Sequence, residues 1–156
     1  MPATTSSIRR ATTDDACALT ELTMRSKVNW RYDEDFLRDA RADLEFQPGK
    51  FLPDFHVYVL EENCRMLDFC SLIPGEEGRM ELHDLFVEPD CIGKGFGKQL
   101  WDHAVQVARS QGFRTLVLAA DPNAEPFYVR QGAIRVGEKT SPVRPDRRLP
   151  VLEFVL

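Results

Sequence analysis

Three of the chain's nine glycines fall in one short run, Gly93-Lys94-Gly95-Phe96-Gly97-Lys98. It lies between an apolar stretch ending in Val87-Glu88-Pro89 and a segment of helical periodicity. A glycine loop that opens a helix presents backbone N–H groups with no helical partner, and the macrodipole adds partial positive charge there. Such a place suits phosphate oxygens, because glycine lets a ligand approach the backbone closely. Lys94 and Lys98 could add charge-assisted contacts. Two common phosphate loops do not fit. The nucleoside-triphosphate loop needs Ser or Thr after its lysine, and Gln99 follows Lys98; the dinucleotide fingerprint needs glycine where Lys98 stands. The plainer alternative is a tight strand-to-helix turn in which Gly97 serves only packing.

The surrounding pattern gives the loop a frame. Ile8–Ala11 reads as a short strand, followed by helix-starting residues Thr12 to Asp15 and apolar positions Ala16, Leu19 and Leu22 at helical spacing. The first helix is expected over 14–27 and a second over 33–46, closed by Pro48-Gly49. Residues 55–60 and 65–73 read as a β-hairpin, and Arg79–Val87 as a longer strand. A helix over 95–111 carries Gly97, Leu100, Trp101, Ala104, Val105 and Ala108 on one face and ends at Gly112. A strand at 116–120, a short helix over 123–131 and strands at 133–137 and 150–156 complete a β-α-α-β-β-β-α-β-α-β-β order.

Composition narrows the class. The chain has 156 residues, 43% hydrophobic and 29% charged, which fits one globular domain over 1–156 with residues 1–7 as a flexible start. The net charge of −5 argues against a nucleic-acid binder, which carries a basic footprint. No apolar run approaches the roughly 20 residues of a membrane span, and the small, polar residues 1–7 are not expected to act as a secretory signal. Cys17, Cys64, Cys70 and Cys91 form no CxxC pair or His-containing cluster, so free thiols in a reducing cytoplasm are expected and no metal site.

The run Leu85-Phe86-Val87-Glu88-Pro89-Asp90-Cys91-Ile92-Gly93-Lys94-Gly95-Phe96-Gly97 resembles the central motif of the GNAT superfamily of N-acetyltransferases. That motif places Arg or Gln, two residues, Gly, one residue and Gly or Ala after a strand ending in Val-x-Pro; Ile92 stands at the Arg/Gln position. Asn123-Ala124-Glu125-Pro126-Phe127-Tyr128 with Gly132-Ala133 resembles the family's second segment, and the element order fits over nearly the whole chain. The resemblance implies a mixed α/β (α+β) domain: a mostly antiparallel twisted sheet flanked by about four helices, with a splayed cleft for acetyl-CoA.

The chemistry the resemblance implies is acetyl transfer from acetyl-CoA to a primary amine of a small molecule, peptide or protein, by direct attack. The Leu85 N–H would polarise the thioester carbonyl, an oxyanion donor aimed where charge develops. The Phe86–Val87 backbone would hold pantetheine, and the amides of Ile92, Gly93, Lys94, Gly95, Phe96, Gly97 and Lys98 the pyrophosphate. Asn123 would cap the next helix or touch pantetheine. Tyr128 is the candidate general acid, a phenol of pKa about 10 facing a departing thiolate of about 8.5. Glu81 is the leading base; alternation sets it on one strand face with His83, Leu85 and Val87 and puts Asp84 opposite, as a packing or salt-bridge residue. His83, which titrates in the useful range, is a second candidate.

The acceptor pocket is expected from 26–32 and 139–148, with Trp30 and Tyr32 as an aromatic wall and Arg144, Arg147 and Arg148 either at an anionic group or in solvent. A non-catalytic acyl-CoA-binding or sensing module of the same fold is the competing reading. The family frame also leaves room for a homodimer. Residues 14–62 hold six Lys and Arg against twelve Asp and Glu. That acidity suits a cationic amine acceptor as well as a solvated helix face.

Overall fold

A computed structural model of the chain describes residues 6–30, 32–45 and 55–156. In chain order the elements are β1 (Ser7–Arg10), α1 (Ala16–Asn29), α2 (Glu34–Leu44), β2 (His56–Glu62), β3 (Arg65–Pro74), β4 (Arg79–Val87), α3 (Phe96–Ser110), β5 (Thr115–Ala119), α4 (Glu125–Arg130), β6 (Ile134–Thr140) and β7 (Arg148–Val155). The expected order is the observed one. The expected helix stop at Pro48-Gly49, and residues 1–5 of the expected flexible start, lie outside the described residues; Ser7 already pairs with Glu61.

One seven-stranded sheet runs β1-β2-β3-β4-β5-β7-β6. Every pairing is antiparallel except β4 with β5. Leu100, Trp101, Ala104 and Ala108 of α3 pack on one face against Leu72, Met80, Leu82, Leu116 and Leu152. On the other face Leu19 and Leu22 of α1 pack against Val57, Val59 and Phe69, with α2 beside α1. Burial of these apolar stripes, about 25 cal/mol per Å² removed from water, holds the layers together. The Asp33 carboxylate caps α2 by accepting from the Phe36 N–H at 2.7 Å.

Two departures from regular pairing make the site. The parallel β4–β5 ladder covers only Arg79–Glu81 against Thr115–Val117, whereas β5 stays paired with β7 to Ala119. Beyond Glu81, β4 has no strand paired on that side among the described residues, so the sheet splits into a cleft. The second departure is a β-bulge: Ser71 pairs with Asp84 but Leu72 with Leu82, leaving His83 as the extra residue.

Candidate active site

The glycine loop sits at the mouth of the cleft. Gly93 and Gly95 adopt φ of +84° and +86°, conformations that side-chain-bearing residues rarely take. A Cβ at either position would meet nothing within 4 Å, so the backbone is open to approach. Helix α3 begins without a side-chain cap, and the Gln99 N–H, onto the Gly95 carbonyl at 3.1 Å, is the first to close the turn. Gly93, Gly95 and Gly97 line a cavity of about 490 Å³ that runs along Phe86 and Val87 to Asn123, Phe127 and Tyr128. Lys94 and Phe96 are not in its lining, and the Lys94 N–H donates to the Cys91 carbonyl at 3.3 Å, so the expected pyrophosphate role does not extend to that amide. Ile92, Lys98 and Trp30 also line it. The Lys98 ammonium donates to Asp102 at 2.8 Å, one turn along its own helix. Gly97 is buried where a Cβ would touch Val87 and Phe127, so it also serves packing.

A second cavity, of about 150 Å³, adjoins the first and is lined by Glu81, His83, Asp84, Lys139, Ser141 and Arg147 among others. The two cavities share Lys27, Leu85, Phe86, Asp121, Ala124 and Tyr128. The bulge decides what enters the smaller one. Met80 and Leu82 belong to the α3-side core and so do Leu85 and Val87, while Phe86 packs on the α1 side. The phase of alternation therefore slips at His83. Glu81 does not share a face with Leu85 and Val87, as strict alternation predicts, and Asp84 is not opposite Glu81. The added residue turns Glu81, His83 and Asp84 all toward the small cavity.

The electrostatics there are mostly paired. The His83 Nδ1 lies 3.4 Å from a Glu81 carboxylate oxygen, and this contact holds the Glu81 carboxyl below its usual range against the opposing effect of burial. Between the cavities the Lys27 ammonium donates to Asp121 at 3.0 Å, both side chains nearly buried. The Tyr32 hydroxyl donates to the same oxygen at 2.8 Å, and Arg147 reaches it at 3.2 Å. Burial raises the Asp121 carboxyl, but the Lys27 charge and the Asn123 N–H prevail and lower it. Tyr32 is stacked on Phe36 with ring centroids 4.1 Å apart, and Arg147 lies over both rings. This network ties α1, the β5–α4 loop and the β6–β7 loop across the cleft.

Tyr128 is buried against Trp101 and Phe127 and lines both cavities. Burial pushes its phenol well above the usual tyrosine range, with Cys70, Asp84 and Asp121 adding to the effect. Asn123 does not cap α4: the N-cap is Ala124 without a side-chain bond, and the Asp121 carboxylate accepts from the Asn123 N–H at 2.9 Å. Its amide instead donates to Asp121 and Tyr32, and it lines the larger cavity. Pro126 sits in the first turn, where a missing N–H costs little. Trp30 lies on the larger cavity and Tyr32 in the network, so they do not form a joint wall of the smaller one. Of the three arginines, Arg147 lines the small cavity, Arg144 pairs with Asp39 and Arg148 with Glu138. Burial lowers the pKa of His103, which packs edge-on to Tyr58. The four cysteines are free thiols.

The family model described as "Acetyltransferase (GNAT) family" matches residues 18–133, most of the chain and both elements that frame the cleft. The chain belongs to the GNAT family. A relative, peptidyl-lysine N-acetyltransferase YjaB of Salmonella typhimurium, is 35% identical over 100 residues. The match spans 63% of this chain and 64% of that relative's length. Among solved structures, a GCN5-related N-acetyltransferase from Rhodopseudomonas palustris superimposes with a TM-score of 0.82 at 20% identity, covering 100% of this chain and 99% of that one. The PaiA N-acetyltransferase of Thermoplasma acidophilum, solved with coenzyme A, gives 0.79 at 18% identity, covering 97% and 99%. These likenesses show the fold. No described helix is long and apolar enough to cross a membrane.

Proposed function

We propose that this protein transfers the acetyl group of acetyl-CoA to a primary amine by direct attack. The observation that carries the reading is the uncapped, glycine-lined start of α3 opening onto a cavity that meets a second, polar cavity at Leu85 and Tyr128. The residues present fit coenzyme A. Unpartnered N–H groups with no Cβ in their way suit a pyrophosphate, and the unpaired edge of β4 offers backbone groups to pantetheine's amides. Membership of the GNAT family and the names of its relatives support the same chemistry.

Each residue then has a task. The Leu85 N–H stabilises negative charge growing on the acetyl carbonyl oxygen. Glu81, steadied by His83, takes the proton of the amine directly or through a water, since an alkylamine of pKa about 10 is mostly protonated at neutral pH. The N–C bond forms, the C–S bond breaks, the Tyr128 hydroxyl gives its proton to the departing sulfur, and the surplus proton left on the amide nitrogen restores the phenol through solvent. Burial raises the phenol's pKa, so the hydroxyl keeps its proton at neutral pH and has it to give.

A purified-protein assay of thiol release from acetyl-CoA over a panel of primary amines tests the reading. Turnover with at least one amine is expected, with Glu81→Gln slowing it most at low pH, where free amine is scarce. Coenzyme A binding with no turnover on any amine would favour an acyl-CoA-sensing module instead.

A further inference from the structure

Three carboxylates line the small cavity, and only two have a positive partner among the described residues. Asp121 is met by Lys27 and Arg147, and Glu81 by His83. Asp84 has neither. It is 5% exposed, and one of its oxygens accepts from the Ser71 hydroxyl at 2.6 Å; no lysine or arginine among the described residues pairs with it. A buried carboxylate without a counter-charge is costly, which makes the place ready for a cation.

Its position fits one cation in particular. The bulge at His83 turns Asp84 into the cavity, and the next residue is Leu85, whose Cα lies about 3.8 Å away across the intervening trans peptide. Leu85 lines both cavities and Asp84 the smaller one, so an ammonium held by Asp84 comes from the small-cavity side to the carbonyl that the Leu85 N–H would polarise. The remaining walls limit the bulk of the group that carries the ammonium. A cavity of 150 Å³ is the size that takes a single six-carbon ring, about six heavy atoms. Ala40, Leu82, Val143 and Leu149 give it methylene-compatible sides.

We propose that Asp84 anchors the ammonium of the acceptor, and that the acceptor enters as a compact primary alkylammonium of about six heavy atoms, such as the end of a lysine side chain. The inference rests on the acetyl-transfer reading for its purpose, but not for its test. The polar groups around the cavity that holds Asp84 are Ser71, Tyr128, Glu81, His83, Lys27, Asp121, Lys139 and Arg147. Lys27 and Arg147 are engaged by Asp121, His83 by Glu81, and the Lys139 charge acts on Glu81, which leaves Asp84 as the open carboxylate.

The experiment uses n-butylammonium as probe and n-butanol as its neutral counterpart, each titrated into the protein saturated with coenzyme A. Calorimetry is expected to show the amine binding and the alcohol not. Asp84→Asn should weaken the amine at least tenfold while leaving coenzyme A affinity within about twofold. Val143→Phe, which narrows the cavity away from Asp84, should also weaken the amine, and serves if Asp84→Asn does not fold. Equal binding of amine and alcohol, no amine binding, or unchanged affinity in the variants overturns the proposal. Asp84-dependent amine binding without thiol release would leave the anchor standing and defeat acetyl transfer; thiol release unaffected by Asp84→Asn would do the reverse.

Discussion

At the scale of single residues, Tyr128 carries the sharpest expectation. Its hydroxyl belongs to a side chain packed in the core, yet it lines both cavities at their junction. Removing only that oxygen leaves the packing with Trp101 and Phe127 in place. Tyr128→Phe should therefore lower kcat by about 10² or more, the usual worth of a positioned acid, with little change in KM for acetyl-CoA. Steady-state kinetics on the amine found in the panel checks this; a kcat within threefold of wild type assigns the proton to solvent. Tyr128 was legible in the sequence because it sits in a recognisable Asn-x-x-Pro-Phe-Tyr segment. Asp84 was not. Strict alternation puts it on the wrong face, and only the slip in the apolar pattern, from Met80 and Leu82 to Leu85 and Val87, hints at the extra residue. Lys27 was missed for a related reason. A lysine among helix positions reads as solvated, and its buried partner Asp121 lies 94 residues away.

At the scale of elements, β4, the glycine loop and α3 act as one unit. The loop reads directly from sequence because positive φ and an uncapped helix start leave glycine few substitutes, as Gly93 and Gly95 show. The splay between β4 and β5 leaves no such mark. It is set by where pairing stops, after Glu81 and Val117. Apolar residues run on past that point in both strands, Leu118 and Ala119 in β5 and Leu82 and Leu85 to Val87 in β4, interrupted by His83 and Asp84. A charge placed in the loop tests the unit as a phosphate site. Gly95→Asp adds a carboxylate among the open N–H groups at a φ of +86°, whereas Gly95→Ala imposes the backbone strain alone. Coenzyme A affinity by calorimetry should fall about tenfold to a hundredfold further in the aspartate variant than in the alanine one, roughly 1.4–2.8 kcal/mol. Equal losses in the two would show that only loop shape matters.

Over the whole molecule, the two helix layers bury the sheet so fully that one carboxyl group is enclosed with no hydrogen-bond partner for either oxygen among the described residues. Asp68 in β3 lies opposite Leu60 and Val87, is 0% exposed, and neither carboxylate oxygen has a hydrogen-bond partner among the described residues. Burial pushes its carboxyl up to about 7 from 3.8. In the unfolded chain the group loses its proton near 3.8, while the native state keeps it until about 7, so between those values the native state binds more protons. Stability is therefore fully present below about pH 4 and is lost as pH rises toward 7, by at most about 4 kcal/mol for this group. Asp68→Asn removes the titration while keeping shape and a buried polar amide whose cost does not depend on pH. The difference in stability between variant and wild type should accordingly grow in the variant's favour from pH 4 to pH 8, at about 2–4 °C of melting temperature per kcal/mol. Parallel melting curves at the two ends of that range would count against a protonated Asp68. A growing gap would place the strain at the centre of the sheet, beside the strand that carries the site, and not in the cleft itself.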